Sequence, residues 1–449
     1  SPRSTGSILK PFLYAGMLHD GLLLPSMLVS DVPLNINGFS PHNYNKTFYG
    51  AVPAHVAIER SLNVPLVRML SQYNTGRFMS LLKSWGMTTL RFSEEHYGAS
   101  LILGGAEGTL WDLSGMYASM SRVLKHYRTY NGRYNPADIH PLTPFPAERK
   151  EPIRSLTDKA LLSSAALWYT FEAMSALNRP EEEADWQQFE SMKRIAWKTG
   201  TSYGGRDAWA IGTTPRYVVG VWAGNASGEG RPGLTGVGNA APVLFDLFSL
   251  LPGGEWFDLP YDETLPMAIC RNSGHKASPY CEQTDTLYMP LSGNNTGICP
   301  YHKLVHLSAD GRYRVNSSCE SVDRMISRPW FVLPPAQEYY YRNYHIDYIP
   351  LPPVKPGCGQ DLNRQIELIY PEHNAILYLP KGFSGKSEKF IFKAAHARRD
   401  ATIYWHLDES YLGETTENHQ ISCSVSQGKH LLTLIDNEGN QKKIQFEVK

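Results

Sequence analysis

The sequence predicts an α+β protein that ends in a β-sandwich, and three features of the apolar pattern support this fold class. Apolar residues recur at helical spacing over most of the first 177 residues. After Lys193 the period changes to two, which is typical of β-strands. From about residue 360 onward, seven short alternating segments follow one another, as in a small Ig-like sandwich. A chain of 449 residues is longer than one hydrophobic core usually supports. We therefore predict three units, at 1–252, 253–358 and 359–449.

The first unit is expected to begin with helices. Apolar spacing predicts a first helix over about residues 7–30. A helical region over residues 54–73 is expected to break just before Pro65, because the residue before a proline disfavours the helical conformation. Further helices are predicted over about residues 77–86, 110–127 and 155–177.

An antiparallel sheet is expected to follow these helices. Residues 194–201, 207–213 and 217–223 predict three strands joined by short turns, before a Gly-rich loop over 224–238 and a helix over 241–251. In the last unit, a hairpin turn is predicted at residues 437–440. The seven strands predicted there cover residues 366–370, 375–379, 389–394, 401–407, 420–425, 430–436 and 444–448.

Composition narrows the class of protein. The formal net charge is zero, which argues against nucleic acid as a partner. No run of about 18 apolar residues occurs, so the sequence predicts no membrane-spanning helix within this chain. The chain begins at Ser1 without a methionine, a few residues before a candidate nucleophile, and we expect it to be a fragment of a longer protein.

The six cysteines all lie in the second half of the chain. An even number of cysteines in a protein outside the cytosol favours disulfides. A zinc site is the rival interpretation, because Cys299 and His302 have the spacing of metal ligands and Cys270 and Cys281 lie nearby. The chain has no C-x-x-C motif, so we place disulfides ahead of zinc, and buried reduced thiols stay open as a third alternative.

Three short motifs occur in an order that suggests acyl transfer through a serine. They are Ser7-Ile8-Leu9-Lys10, Ser61-Leu62-Asn63 and Lys198-Thr199-Gly200. S-x-x-K, S-x-N and K-T-G follow one another in this order in serine enzymes that react with penicillin. Lys10 lies one helical turn after Ser7, so its amino group can reach the serine hydroxyl. A glycine on a strand admits close approach of a substrate to the backbone.

Each motif alone is weak, because the same spacing recurs elsewhere. S-x-x-K also occurs at Ser80, Ser273 and Ser426. Taken singly, Ser7 could be a helix cap, the lysines solvated cations, Asn63 a turn residue and the threonines ordinary strand residues. The ordered set favours the catalytic interpretation over these structural ones.

With these motifs and their flanks, the chain resembles the transpeptidase part of the class A (bifunctional) penicillin-binding proteins, and most of all the penicillin-binding protein 1C group. The likeness implies the penicillin-recognising serine transpeptidase fold, an antiparallel sheet flanked by helices, with its first strands missing from this chain. The segments that carry the likeness are Arg3-Ser4-Thr5-Gly6-Ser7, Pro41-His42-Asn43-Tyr44, Leu103-Gly104-Gly105-Ala106-Glu107, Ala196-Trp197-Lys198-Thr199-Gly200-Thr201, Arg206-Asp207-Ala208-Trp209, Trp330-Phe331-Val332-Leu333-Pro334-Pro335 and Tyr404-Trp405-His406-Leu407-Asp408.

The resemblance implies a role for the first two motifs. Ser7 would attack the penultimate carbonyl of a stem peptide that ends in D-Ala-D-Ala, and Lys10 would accept the Ser7 proton. Ser61 would pass a proton to the leaving amine, and Asn63 would orient Lys10 and the substrate amide.

The resemblance also implies a carboxylate site on the third motif. Lys198, Thr199 and Thr201 would hold the terminal carboxylate of a stem peptide or of a β-lactam, and Gly200 would leave room for it. The backbone N–H groups of Ser7 and Thr201 would form the oxyanion hole. No metal and no cofactor is expected for this chemistry.

The expected setting is the periplasmic face of the bacterial inner membrane. The resemblance implies a membrane anchor and a peptidoglycan glycosyltransferase part before this chain, and partners in cell-wall synthesis for the C-terminal β-domain. Two other functions are kept as alternatives: a hydrolase with the same nucleophile, either a D,D-carboxypeptidase or a β-lactamase, and a non-catalytic β-lactam-binding or wall-scaffold protein.

Overall fold

The computed structural model describes residues 1–34, 36, 39–145, 156–176, 193–358, 366–378, 389–408, 410–437 and 440–449. The helices in these ranges are α1 (Lys10–His19), α2 (Ala54–Glu59), α3 (Asn63–Tyr73), α4 (Thr75–Ser84), α5 (Glu94–Tyr97), α6 (Leu110–Thr129), α7 (Ser164–Ser175), α8 (Ala241–Leu250) and α9 (Pro335–Tyr341).

The strands are short, and most pair with an antiparallel neighbour. They are β1 (Arg3–Ser4), β2 (Leu28–Asp31), β3 (Gly50–Pro53), β4 (Glu107–Gly108), β5 (Ala196–Thr201), β6 (Asp207–Thr213), β7 (Val218–Gly224), β8 (Thr264–Cys270), β9 (Thr284–Pro290), β10 (His302–Leu307), β11 (Ile326–Phe331), β12 (Ile366–Tyr370), β13 (Ala375–Leu377), β14 (Phe390–His396), β15 (Thr402–Leu407), β16 (Ser410–Thr416), β17 (Gln420–Cys423), β18 (Gly428–Asp436) and β19 (Gln441–Val448).

Helix α1 forms the centre of the largest core. Its residues from Lys10 to Leu18 are all buried, and the helix contacts α2, α3, α4 and α7. Phe12 meets Tyr117 of α6 edge-to-face, with ring centroids 5.4 Å apart. A helix enclosed in this way holds its first turn in a fixed position.

The sheet predicted after Lys193 is present, in the order β5-β6-β7. Helices cover both of its faces. A Cβ on Gly212 of β6 would lie 2.8 Å from Phe248 of α8, whereas Gly220 of β7 lies against Ser114 and Leu110 at the α6 side. Strand β5 pairs only with β6 in the described residues, so its other edge is available to a ligand.

The C-terminal strands form two sheets that share an apolar core. Their orders are β12-β14-β17 and β13-β19-β18-β15-β16, with β13 parallel to β19. Phe392, Trp405 and Leu434 are among the buried residues between them. The sequence prediction missed β16, because its sequence SYLGETT carries few apolar residues. Residue 379 of one predicted strand and residues 438 and 439 of the predicted turn lie outside the described residues.

The predicted first helix is too long. Helix α1 ends at His19, and the chain then turns through Gly21, whose φ of +66° favours glycine. The apolar residues that follow are buried as a loop that leads into β2. The helix predicted over 155–177 is α7 at Ser164–Ser175, and residues 155 and 177 lie outside the described residues.

The preference for disulfides holds for one pair of cysteines and is wrong for the other four. Cys319 and Cys358 form a disulfide. Cys270, Cys281 and Cys299 are free thiols that surround His302, and Cys423 is a fourth free thiol, buried in the C-terminal sheets. The pairing depends on how hairpins fold back on one another, which sequence spacing does not reveal.

Among the helices that the structure describes, none has both the length and the apolar content that crossing a membrane requires.

Candidate active site

Ser7 lies in a tight turn between β1 and α1. The Thr5 backbone N–H donates to Ala106 O at 3.0 Å, and the Ile8 N–H donates to Thr5 O at 3.1 Å. The helix begins at Lys10 and not at Ser7 as predicted, with Pro11 in its first turn, where a missing N–H costs no helical bond. The Ser7 hydroxyl has no hydrogen-bond partner among the described residues and is partly exposed, so a substrate can approach it.

Two glycines bring the Ser7 turn against strand β5. Gly6 has a φ of +52°, and a Cβ on it would lie 2.6 Å from Thr201 N. A Cβ on Gly200 would lie 2.6 Å from Thr5 O and 3.3 Å from Ser7 N. Any side chain at either position would push the turn away from the strand. The backbone N–H groups of Ser7 and Thr201 therefore lie at the same junction.

The Lys10 amino group is completely buried and lies against the loop between α2 and α3. Its Nζ is 2.8 Å from Ser61 O, 3.1 Å from Leu62 O and 2.7 Å from Asn63 Oδ1. The helical region predicted over 54–73 does break here, between Glu59 and Asn63. The break turns backbone carbonyl groups toward Lys10 in place of helical hydrogen bonds.

The Ser61 hydroxyl lies between two lysines. Lys198 Nζ donates to Ser61 Oγ at 2.8 Å, and Lys10 Nζ is 3.4 Å from the same oxygen. Ser61 has a φ of +50°, in the left-handed region that residues other than glycine rarely adopt. This strain is maintained by the surrounding contacts, and such strain is common at functional sites.

Lys198 reaches this cluster from strand β5. Its side chain is fully buried, and its Nζ also donates to Thr199 O at 2.8 Å. Strand β5 is antiparallel to β6, with Lys198 opposite Ile211 and Gly200 opposite Trp209. The pairing of β5 with β6 thus fixes the position along the strand from which Lys198 enters the site.

Burial changes the protonation of both lysines. It lowers the pKa of Lys10 well below the ordinary value, and the charge on Lys198 lowers it further. Burial alone lowers the pKa of Lys198 to about 7. Because a proton on one lysine opposes a proton on the other, the titrations of the two lysines are coupled.

Thr199 and Thr201 lie next to the glycine-rich loop that follows β7. The Gly236 backbone N–H donates to Thr201 Oγ1 at 2.9 Å, so the Thr201 hydroxyl keeps its own proton for another acceptor. A Cβ on Gly236 would lie 2.7 Å from Gly200 O and 2.9 Å from the Thr199 Cβ. Glycine at this position lets the loop close over the outer end of β5.

Sequence reasoning missed the residues that hold Asn63. Asn43 Oδ1 accepts the Asn63 backbone N–H at 2.9 Å, and Asn43 Nδ2 donates to the buried carboxylate of Asp31 at 2.9 Å. The Asn63 side-chain amide donates to His42 O at 2.8 Å. The segment Pro41-His42-Asn43-Tyr44, which contributes to the resemblance, was the one available signal.

All eight predicted site residues therefore meet at one place, where the Ser7 turn, the Ser61 loop and β5 come together. The arrangement offers a hydroxyl nucleophile, a buried amine one turn away, a second hydroxyl and a second amine. It can support proton transfer to and from a serine nucleophile beside a site for an anionic group.

The comparisons with known proteins show which class of proteins this chain resembles. Residues 355–446 match the Penicillin-Binding Protein C-terminus Family, which covers the strands from β12 to near the end of β19. The relatives that match the rest of the chain are penicillin-binding proteins as well. The predicted relation to the penicillin-binding proteins is thereby confirmed.

The particular similarity is to penicillin-binding protein 1C. The protein of that name from Escherichia coli is 27% identical over 476 aligned residues, which cover 99% of this chain and 56% of that protein. Penicillin-binding protein 1A from Rickettsia felis is 26% identical over 55% of this chain and 33% of its own length. The chain thus spans about half the length, or less, of the curated relatives it matches.

Two solved structures overlap with part of this chain. Penicillin-binding protein 1A from Haemophilus influenzae overlaps with a TM-score of 0.49 and 18% identity, over 66% of this chain and 49% of that one. The PonA1 protein from Mycobacterium tuberculosis in complex with penicillin V overlaps with a TM-score of 0.43 and 19% identity, over 57% and 72% of the two chains.

The lowered pKa of Lys198 predicts a pH-dependent stability. Its pKa is about 7 in the folded chain, whereas an unfolded lysine has a pKa of about 10.4. Between these values the unfolded chain binds more protons, so the free energy of unfolding rises with pH, by up to about 1.4 kcal/mol per pH unit for this group. Lys198→Met should remove that contribution.

Urea unfolding between about pH 7.5 and pH 9.5 measures this slope. We expect a smaller slope for Lys198→Met than for the wild type, and a wild-type slope for Lys125→Met, which changes an exposed lysine on α6. Equal slopes for the wild type and Lys198→Met would show that Lys198 stays protonated in the folded chain.

Proposed function

We propose that this chain is a peptidoglycan D,D-transpeptidase that works through an acyl-enzyme on Ser7. One observation carries the proposal: the Ser7 turn lies against Gly200 and Thr201 of β5, while Lys10 and Lys198 meet the Ser61 hydroxyl. The relation to the penicillin-binding proteins supports the same reaction class.

Binding begins with the substrate's terminal carboxylate, which would lie along the outer end of β5. Lys198 supplies the positive charge, and the Thr201 hydroxyl supplies a proton, because its oxygen already accepts from Gly236. Thr199 and Gly200 complete the wall, and the absence of a side chain at Gly200 keeps the substrate close to the backbone. The carboxylate of a β-lactam would use the same contacts.

Acylation then needs a base for Ser7, and the neutral amine of Lys10 fits that role. A neutral amine has two N–H groups and one lone pair. The two N–H groups can donate to two of the three carbonyl oxygen atoms around Nζ, and the lone pair can accept the Ser7 proton. As the Ser7 oxygen bonds to the substrate carbonyl, the negative charge on the carbonyl oxygen would face the backbone N–H groups of Ser7 and Thr201.

The leaving D-alanine requires a proton on its amine, and Ser61 would deliver it. The Ser61 hydroxyl lies within 3.4 Å of Lys10 Nζ, so it can give its proton to the amine and regain one from Lys10. Lys198 donates to the same oxygen and holds it in place. Asn63 orients Lys10 through its side-chain oxygen. An acceptor amine then attacks the acyl-enzyme, a peptide bond forms, and Ser7 recovers its proton.

We further propose that the chain works on the periplasmic face of the inner membrane, as part of a longer protein that also carries a peptidoglycan glycosyltransferase. The length of the curated relatives supports the longer protein. The Cys319–Cys358 disulfide supports an oxidising compartment. The C-terminal β-domain, which carries no catalytic motif in the sequence, is proposed to bind partners in cell-wall synthesis.

Ser7→Ala tests whether Ser7 is the nucleophile, and Ser80→Ala is the matched control. Ser80 has the same S-x-x-K spacing, but it lies exposed on α4. After incubation with a fluorescent penicillin, we expect a stable adduct on the wild type and on Ser80→Ala, and none on Ser7→Ala. Mass spectrometry of the digested wild type should place the adduct on the peptide that contains Ser7.

An adduct that persists on Ser7→Ala would contradict the assignment, and so would the absence of any adduct on a folded wild type. Two further assays separate the alternatives. Rapid turnover of a chromogenic cephalosporin would favour a β-lactamase. Release of D-alanine from a stem peptide without formation of a crosslink would favour a carboxypeptidase.

Asn43→Ala tests the support beneath Asn63. The substitution removes the acceptor of the Asn63 and Val64 backbone N–H groups and leaves the Asp31 carboxylate without its amide partner. We expect penicillin acylation to slow by about tenfold or more, a barrier increase of about 1.4 kcal/mol. Asn45→Ala, at an exposed position two residues on, should acylate at the wild-type rate. An unchanged rate constant for Asn43→Ala would show that acylation does not depend on the support that Asn43 gives to Asn63.

A further inference from the structure

We infer that Cys270, Cys281, Cys299 and His302 form a structural zinc site in the segment that follows the sheet β5-β6-β7. Their ligand atoms all lie within 4.8 Å of one another. Cys270 ends β8, Cys281 lies in the loop before β9, and His302 begins β10. Two separate hairpins thus contribute ligands to one point.

The distances fit a tetrahedral metal. The three sulfur atoms lie 3.5, 3.4 and 3.4 Å from His302 Nδ1, in the order Cys270, Cys281 and Cys299. With Zn–S bonds of about 2.3 Å and a Zn–N bond of about 2.0 Å, a tetrahedron places sulfur and nitrogen about 3.5 Å apart. One zinc ion can therefore occupy the centre of the four atoms with little movement of the ligands.

Neighbouring groups are placed as they are around zinc thiolates. The Ser278 backbone N–H donates to Cys281 Sγ at 3.3 Å, and the Ser273 hydroxyl donates to Cys299 Sγ at 3.1 Å. Such hydrogen bonds stabilise thiolate ligands and orient them. The His302 ring packs against Phe331, with centroids 5.2 Å apart, which fixes the plane of the imidazole.

The choice of three cysteines and one histidine also argues against disulfides here. Three thiols cannot all pair with one another, and Cys319 and Cys358 are already joined. Cys423 belongs to the C-terminal core. A Cys₃His set is a common ligand set of closed structural zinc sites, which keep no position open for a substrate.

The fold gives a reason for a metal at this place. Strands β8 and β9 form a two-stranded sheet, and so do β10 and β11, and such small sheets are marginal alone. The local apolar cluster is small and, among the described residues, has four buried members, Leu24, Met267, Ile269 and Met289. Zinc would join the two hairpins and supply the stability that this small core does not.

The site also connects to the proposed active site through the chain. Ser273, between the first two cysteines, accepts the Leu28 backbone N–H at 2.8 Å at the start of β2. Strand β2 ends at Asp31, which holds Asn43. Binding of Zn²⁺ would release the three thiol protons to solvent and give the cluster a formal charge of −1.

Metal analysis of the whole chain tests the inference. The chain is reduced, stripped with a chelator and given Zn²⁺, and bound metal is measured after dialysis. We expect about one zinc per wild-type chain, and less than about 0.1 for Cys281→Ser and His302→Ala, since each loses a ligand. Cys423→Ala, which changes a buried thiol outside the cluster, should keep about one zinc. Zinc should also raise the unfolding temperature of the wild type and of Cys423→Ala, but not that of Cys281→Ser or His302→Ala.

A second experiment with Co²⁺ needs only the wild type, so the inference stays testable even if a variant fails to fold. Replacement of zinc by Co²⁺ should give the visible bands of a tetrahedral site and the near-ultraviolet charge transfer of three thiolates. Three thiols should then resist a thiol reagent. A wild type that binds no zinc, a six-coordinate cobalt spectrum, or a disulfide among these cysteines after reduction and zinc addition would overturn the inference. These outcomes are independent of penicillin acylation at Ser7.

Discussion

The Ser61 hydroxyl lies between two buried lysine side chains, and the rest of the proposed active site depends on this contact. Burying two amino groups of like charge is unfavourable unless at least one is neutral and both are hydrogen-bonded. In this site burial lowers the pKa of both lysines, and both amino groups have hydrogen-bond partners. Carbonyl groups freed by the break between α2 and α3 surround Lys10 Nζ, and Lys198 is held by Ser61 and the Thr199 carbonyl. The left-handed backbone at Ser61 directs its hydroxyl and carbonyl groups toward Lys10 Nζ.

Close backbone contact is the second constraint, and it explains why glycines occur at three points around the site. Gly6, Gly200 and Gly236 let the nucleophile turn, the sheet edge and the covering loop touch without side chains between them. The buried helix α1 and the sheet β5-β6-β7 hold these contacts rigidly from below. The proposed nucleophile, the amines and the proposed carboxylate site are thus arranged before a substrate binds, which is the condition for electrostatic catalysis.

Much of this site could be predicted because its spacing is local. Ser7 and Lys10 are one helical turn apart, and Ser61 and Asn63 flank a helix break that Pro65 signals. The Asp31–Asn43–Asn63 chain could not be found in this way, since it joins residues 12 and 20 positions apart through a loop with no periodic pattern. The helix over 7–30 was overextended because apolar residues after Gly21 are buried without being helical. The sequence favours disulfides over a metal site for the cysteine cluster, because its members meet only when two hairpins pack together.

The central claim is that burial beside Ser61 lowers the pKa of Lys10 well below the ordinary value, so that its neutral amine can serve as the base. Nitrogen-15 NMR of the chain with labelled lysine side chains, assigned with Lys10→Met and Lys198→Met, measures this directly through the shift of each Nζ. The account predicts that the Lys10 Nζ titrates well below the ordinary pH range of a lysine, and that Lys198 titrates near its pKa of about 7. An ammonium shift for Lys10 that persists well above neutral pH would contradict the account, because Ser7 would then lack its base.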